Sequence, residues 1–279
     1  VVYFWGTASI SLMYAQLADY HVHTPLCHHA SGWPMEFAGR AVELGLGELG
    51  FADHNPMSAS FDDWRMLRED LPRYFEEVEK AREAYPGLKI RLGLECDFID
   101  GREEWIEELR GMADWDYFIG SVHYLPDGVE VDHPKYVGRP REGGVEGVWK
   151  AYHETYRRAI RSGLFDFMAH PDLPKKFGEI PGGDLRRFYE PVIGDLLEME
   201  TPFELNTAGW RKACAEQYPA REFLEMAASS GVSLLINSDA HAVEDLGRDF
   251  EKAVELALAV GFTRTVRFDR RKVSFVHLR

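Results

Sequence analysis

Cysteine is scarce: Cys27, Cys96 and Cys214 are the only three in 279 residues. An odd, sparse count excludes a disulfide framework and suits a reducing compartment, so a cytoplasmic location is expected. No run approaches the roughly 18 apolar residues that a membrane helix needs, so no membrane partner is expected. Positive charge is also short. Lys and Arg number 32 against 47 Asp and Glu, for a formal net charge of −15. A surface of that sign repels polyanions, so no nucleic-acid partner is expected. A small anionic substrate stays open if the site carries its own positive charge, as bound metal ions would provide. Repeats, low-complexity tracts and linkers are missing too. What remains is an ordinary globular composition, 45% hydrophobic and 28% charged, in a chain long enough for one large core. Residues 1–12 have neither the basic start nor the long apolar core of a signal peptide. They read as an extension of uncertain origin, with a single catalytic domain over 13–279.

From residue 15 onward, short apolar runs alternate with longer amphipathic ones. The apolar runs predict strands over 15–20, 48–52, 89–96, 117–121, 166–169, 202–205 and 233–237. Between them, helices are predicted over 35–44, 71–85, 102–112, 145–161, 185–199, 221–230 and 244–260. Within these, apolar residues recur at three- and four-residue steps, as in Phe75, Val78 and Ala81. Gly87, Gly163 and Gly231 stand where helices should stop. Seven strand–helix units in series imply a parallel α/β architecture. Residues 126–144 read as a long loop, and 273–276 as a last strand.

The histidines fall in a pattern. His21 and His23 close the first strand, with His29 a little beyond. His54 follows the second strand, Glu95 ends the third, His123 follows the fourth and His170 the fifth. Asp239 and His241 follow the seventh. In a barrel of parallel strands the carboxyl ends meet at one face, so this scattered series becomes one constellation in space. Each member alone has a plain structural reading. His-x-His and Asp-x-His triplets occur by chance, Asp53–His54 suits a helix cap, and a buried Glu95 suits a salt bridge. Together they are hard to scatter by chance: seven of the eleven histidines lie just past strand ends. In an extended segment, residues two apart point the same way, so both imidazoles of His21 and His23 can reach one ion. Seven imidazoles and two carboxylates exceed the needs of one tetrahedral ion. Two or three divalent ions are therefore expected, of zinc, iron or manganese rather than calcium.

The segments DYHVHTPLCHHA, FADHNP, LGLECDF, IGSVHYL, AHPDLPKKFG, ELNTAGW and NSDAH run in order from residue 19 to 241. In them the chain resembles the PHP (polymerase and histidinol phosphatase) superfamily. HTPLC, GSVHYL, LPKKFG and NTAG resemble its histidinol-phosphate phosphatase branch in particular. The resemblance implies a distorted (β/α)7 barrel with a trinuclear metal site. By motif, one ion would be held by His21, His23, Glu95 and Asp239. A second would share Glu95 and use His123 and His170, and a third would use His29, His54 and His241. Relatives usually carry Gly where this chain has His28, so His28 competes with His29 for that role.

The activity so implied is hydrolysis of L-histidinol phosphate, a small phosphorylated substrate of histidine biosynthesis. A hydroxide bridging two ions would be the nucleophile, with Glu95, Asp239 and His241 as the catalytic groups. Lys175, Lys176 and Arg211 are candidates to neutralise the phosphate, and Asn206 either touches substrate or caps a helix. Asp172 either binds the substrate amine or orients a ligand. Cys27 and Cys96 read as buried packing residues. Two other functions compete: a phosphoesterase for nucleotides or oligonucleotide ends, and a metal-binding protein without turnover.

Overall fold

The computed structural model describes residues 13–138 and 143–278. Seven parallel strands follow one another in chain order around the sheet. They are β1 Ala18–Asp19, β2 Glu48–His54, β3 Lys89–Asp97, β4 Tyr117–Ser121, β5 Phe167–Met168, β6 Phe203–Asn206 and β7 Leu234–Asn237. The helices between them are α1 Pro34–Leu44, α2 Leu71–Ala84, α3 Glu103–Arg110, α4 Gly144–Ser162, α5 Arg186–Glu198, α6 Arg221–Ser230 and α7 Phe250–Val260. β2 to β7 are buried along nearly their whole length, as strands packed on both faces must be. The sheet curls until its edges meet. Ser238 N–H donates to Asp19 (3.1 Å), Ala240 N–H to the His21 carbonyl (3.0 Å) and His23 N–H to the Ala240 carbonyl (2.9 Å). The result is a nearly closed, distorted barrel. Among the described residues, no helix is long and apolar enough to cross a membrane.

The barrel interior is packed rather than open. Tyr20, Tyr117, Ile119, Phe167 and Leu235 fill it, with Val266 and Phe268 closing the far end. The Tyr117 hydroxyl lies 2.7 Å from the Tyr20 carbonyl and 3.0 Å from that of Phe51. Its ring passes over two strand glycines. A Cβ on Gly50 would come within 2.3 Å of the Tyr117 hydroxyl, and one on Gly93 within 2.3 Å of the ring, so neither position tolerates a side chain. Below this plug the buried Glu48 carboxylate accepts from Tyr20 (2.7 Å), Arg91 (3.2 Å) and Arg267 (3.0 Å).

Two expectations are corrected, and a third, the last strand, is met with an added partner. The first strand shrinks to two residues because residues 13–15 are helical: Met13, Tyr14 and Leu17, spaced for a helical turn, all pack into the main core. The last helix begins at Phe250. Gly247 intervenes at φ +62, its N–H donating to Asp19 at 3.1 Å. The final strand is half of an antiparallel hairpin, β8 Arg264–Asp269 with β9 Lys272–His277. The loop over 126–144 also holds a short 3-10 turn, Pro134–Tyr136, in its described part. Residues 1–12, expected to be an extension, lie outside the described residues.

Candidate metal centre

β2 and β3 run furthest past the plug, and their register sets His54 directly beside Glu95. On the next strand, β4 ends at Ser121 and leaves His123 two residues beyond it. Tyr152 and Tyr156 of α4 donate to the carbonyls of His170 (2.8 Å) and Ala169 (2.9 Å), fixing the end of β5. His21 and His23 flank Val22, which bridges to Ala240 and so pins both ends of the barrel seam. His170 (φ +27) and Asp239 (φ +52) adopt left-handed backbone immediately after their strands. Such conformations cost energy and persist where the surroundings hold them, often at functional sites.

All nine residues expected as ligands meet at this face. Glu95 lies at the centre. Its Oε2 is 2.9 Å from His54 Nδ1, 3.2 Å from His21 Nε2 and 3.5 Å from His23 Nε2. Its Oε1 is 3.0 Å from His170 Nε2 and 3.7 Å from His123 Nε2. Asp239 Oδ1 is 3.3 Å from His23 Nε2 and 3.7 Å from His21 Nε2. His29 and His241 face each other, Nε2 to Nε2, at 3.0 Å. Several triplets have ligand atoms within 4.8 Å of one another, including His21–His23–Glu95, His54–Glu95–His123 and His23–His54–His241. His54 therefore sits between two of the groups rather than in one. Of the two adjacent histidines, His29 lines the cavity, while His28 bonds the Asp63 carbonyl at 3.0 Å.

The donors fit cations better than they fit one another. His21 Nε2, both ring nitrogens of His23, His54 Nδ1 and Glu95 Oε2 are buried without a hydrogen-bond partner among the described residues. Buried polar atoms are ordinarily paired, so a convergent set left unpaired marks a place for an ion. Charge points the same way. Burial opposes protonation of His123, but Asp97 and Glu95 outweigh it and raise its pKa to about 10. Burial dominates at His54 and lowers its pKa to about 4. Glu95 and Asp239 are held well below the usual carboxylate range, because the surrounding imidazoles overcome the penalty of burial.

A second layer, which sequence reasoning missed, orients these ligands. Glu204 accepts from His21 Nδ1 (3.0 Å), Asn237 (2.8 Å) and Asn206 (2.7 Å). Asp97 receives His123 Nδ1 at 2.8 Å and Arg65 at 2.8 Å. Nothing local distinguishes Glu204 from an ordinary strand residue; for Asp97 the one available signal was its place two positions beyond Glu95. Replacing Asp97 with Asn should lower metal affinity by about 10- to 100-fold, since it loosens His123. It should also destabilise the fold by roughly 3–5 kcal/mol, because it leaves the buried Arg65 guanidinium short of a partner. Competition with a graded chelator and thermal melting read the two effects. Unchanged metal affinity would refute the orienting role.

The centre forms the floor of a cavity of about 720 Å³. Lys176 and Arg211 line it; the Lys176 ammonium sits 3.0 Å from Asp132, and Arg211 donates to the Ser238 carbonyl at 3.2 Å. Lys175 does not reach it. Its side chain is buried on the other side, with the ammonium 2.9 Å from Asp172 and 2.7 Å from Glu216. Successive residues of the short 3-10 helix Leu173–Phe177 point in different directions, so one lysine faces the cavity and its neighbour the interior. Asp172 is spent on that buried pair and on Ala220 N–H (2.7 Å). Asn206 is fully buried and caps the 3-10 helix Thr207–Arg211, its Oδ1 accepting from Ala208 N–H at 2.9 Å, while its Nδ2 donates to Asp239 Oδ2 at 3.1 Å. One further wall is acidic, built from Asp62, Glu130 and Asp132, and beside it stand Phe61, Trp64 and Tyr124. The Trp64 and Tyr124 rings are stacked at 6.0 Å.

A parallel barrel with histidines and carboxylates gathered at its carboxyl face, under an open cavity, defines a hydrolase of the metal-dependent barrel class. The PHP domain family matches residues 19–208. A Deinococcus radiodurans protein named "Probable histidinol-phosphatase" is 43% identical over 262 residues, spanning 92% of this chain and 98% of its own. The histidinol-phosphatase of Bacillus subtilis is 27% identical over 268 residues, spanning 86% and 99%. A Lactococcus lactis histidinol phosphate phosphatase, whose structure holds zinc, L-histidinol and phosphate, shares the fold with a TM-score of 0.79 at 22% identity, covering 93% of this chain and 99% of that one. The chain belongs to the PHP domain family, and within it to the histidinol-phosphatases.

Proposed function

We propose that the enzyme hydrolyses L-histidinol phosphate to L-histidinol and phosphate, with two or three ions of zinc, iron or manganese held by His21, His23, His29, His54, Glu95, His123, His170, Asp239 and His241. The observation that carries this reading is the convergence of those nine side chains at one face, seven of them lining a cavity that has cationic and acidic walls and His21 and His23 buried behind them. When bound, the ions would activate water and neutralise phosphoryl oxygens. The rest falls to the chain's own groups. Lys176 and Arg211 add positive charge beside the phosphate. The acidic wall of Asp62, Glu130 and Asp132 receives the protonated amine of the substrate, and Trp64 and Tyr124 offer flat faces to its imidazole. Asn206 and Glu204 hold Asp239 and His21 in place. A cytoplasmic site of action and a single catalytic domain over 13–279 belong to the same reading.

The test is phosphate release from L-histidinol phosphate beside AMP, a 3′-phosphorylated oligonucleotide and p-nitrophenyl phosphate, with and without chelation. A strong, chelator-sensitive preference for histidinol phosphate is expected. Preference for a nucleotide would overturn the substrate, and absence of turnover with any of the three metals would overturn the enzyme.

Replacing Glu130 with Gln should raise KM for histidinol phosphate by about tenfold or more, the worth of one charge-assisted hydrogen bond, and change kcat less. Burial, then repulsion from Asp132, pushes the Glu130 carboxyl up to about 7. As pH falls through that value the carboxylate is neutralised, so KM of the wild type should rise while KM of the variant stays flat. The stability effect has the opposite sense. Between the ordinary value of 4.5 and about 7, the folded state holds a proton that the unfolded state has lost, so stability declines as pH rises through this window. The variant, lacking that penalty, should melt at or above the wild-type temperature at pH 8. An unchanged KM would remove Glu130 from substrate recognition.

A further inference from the structure

Lys175 is buried, alone of the lysines among the described residues. A lysine is almost never taken fully out of water unless it is paired. Here the three ammonium protons have three acceptors: Asp172 Oδ2 at 2.9 Å, Glu216 Oε2 at 2.7 Å and the Gln217 carbonyl at 2.7 Å. These acceptors belong to two different strand-end segments. Asp172 opens the 3-10 turn that brings Lys176 to the cavity, whereas Glu216 and Gln217 lie on the loop that follows the turn bearing Arg211.

The sheet does little to hold these two segments in register. β5 is two residues long and pairs with β6 at one position, Met168 with Phe203. The loop over 212–219, by contrast, is seated firmly on the end of β6. Tyr218 and Asn206 exchange both backbone hydrogen bonds, at 2.7 and 3.0 Å. A Cβ on Gly209 would come within 2.2 Å of the Glu216 carbonyl, so a shift of Glu216 is passed to the turn that carries Arg211. Polar ties from this unit to the Lys176 turn are the Lys175 ammonium, the bond from Ala220 N–H to Asp172 (2.7 Å) and the bond from Cys214 N–H to the Lys176 carbonyl (3.2 Å). The first has charge on both partners and reaches the loop at two residues.

We propose that Lys175 is a positioning residue for phosphate binding: its buried ammonium fixes the spacing between Lys176 and Arg211 across the cavity and does not touch substrate itself. This rests on the reading that those two side chains meet the phosphate, and adds what sets the distance between them. A cation on an unpinned turn must be ordered when the ligand arrives, and that cost is taken from the affinity. A buried ion pair suits the task. Its desolvation cost leaves little net stability, yet few geometries satisfy it, so its worth lies in selecting one arrangement of the two turns. The adjacent lysines thus divide the work: Lys175 holds the turn and Lys176 faces the ligand.

Steady-state kinetics of the metal-loaded whole chain test it, with inorganic phosphate as the competing probe. Lys175→Met should raise KM for L-histidinol phosphate and Ki for phosphate together, by about tenfold, the worth of one charge-assisted hydrogen bond, while kcat per folded molecule falls less and metal content holds. A role confined to folding would lower the melting temperature and the folded fraction but leave both constants of the folded protein unchanged. That result overturns the proposal, as does loss of metal from the variant. Glu216→Gln breaks one arm of the tether while Asp172 keeps the ammonium paired. It should raise both constants in the same direction, and it decides alone if Lys175→Met does not fold. Lys176→Ala and Arg211→Ala separate this proposal from the reading beneath it. If either raises Ki and the tether variants do not, the tether is refuted and the cationic wall stands; if neither raises Ki, the wall falls and the tether with it.

Discussion

Changing Glu95 to Gln is expected to lower turnover by ~10³-fold or more, the largest effect of any single substitution at the centre. The change is nearly isosteric, so packing around the side chain survives. What it removes is the charge on which five imidazoles converge. His21, His23 and His54 reach one carboxylate oxygen at 2.9–3.5 Å, and His170 and His123 reach the other at 3.0 and 3.7 Å. An amide in that place turns an N–H₂ toward imidazole nitrogens that are themselves needed as lone pairs. It also leaves the centre one negative charge short of what divalent ions require. Metal content by plasma mass spectrometry should fall together with activity. A Glu95→Gln protein with full metal content and turnover within tenfold of wild type would show that Glu95 is peripheral.

Stripping the metals should be almost as severe, and it should show in the fold as well as in the assay. Phosphate release should cease on chelation and return with zinc, manganese or iron(II). The melting temperature should drop by an amount on the order of 10 °C or more. Ions present at a thousandfold excess over Kd contribute about 4 kcal/mol each, and each kcal/mol moves the midpoint of a domain this size by a few degrees. Without cations, buried carboxylates and imidazoles at the barrel mouth must satisfy one another. The sign of the pH effect follows. Carboxylates hold protons on His21, His23 and His123, overcoming the opposing effect of burial and raising all three pKa values. Cations must displace those protons, so metal affinity should rise with pH and acid should release the ions. Chelated protein that retains turnover would sink the metal-dependent mechanism. An unchanged melting temperature would mean that the ions do not stabilise the fold.

The site was unusually legible because its ligands sit where strands end. A strand end is a local event, written in the switch from apolar runs to polar residues, and a parallel barrel brings all such ends together. The layer behind the ligands was not legible. Asp97, Glu204 and Arg65 owe their roles to partners 26 to 183 residues away in the chain. The cavity walls were missed for a similar reason. Trp64, Tyr124 and Glu130 come from two loops with no periodicity, and only their packing gives them a common face. The β8–β9 hairpin escaped because its turn, Arg270–Arg271, has positive φ at both residues. That geometry is usually announced by Asn-Gly or Gly. Here it is held from outside: Asp116 accepts from the backbone N–H groups of both arginines, and Asp166 pairs with the Arg271 guanidinium.

By itself the sequence determined the alternation of strands and helices, a parallel α/β architecture and the residues that follow its strand ends, while the barrel was what the family resemblance implied. Hydrophobic periodicity and ligand spacing depend only on near neighbours along the chain. The tertiary structure alone decided which lysine faces the cavity, that Asn206 serves Asp239 and that His54 stands between two candidate metal groups. Each of those depends on strand register and barrel closure. These set distances between residues far apart in sequence, and no local pattern carries them.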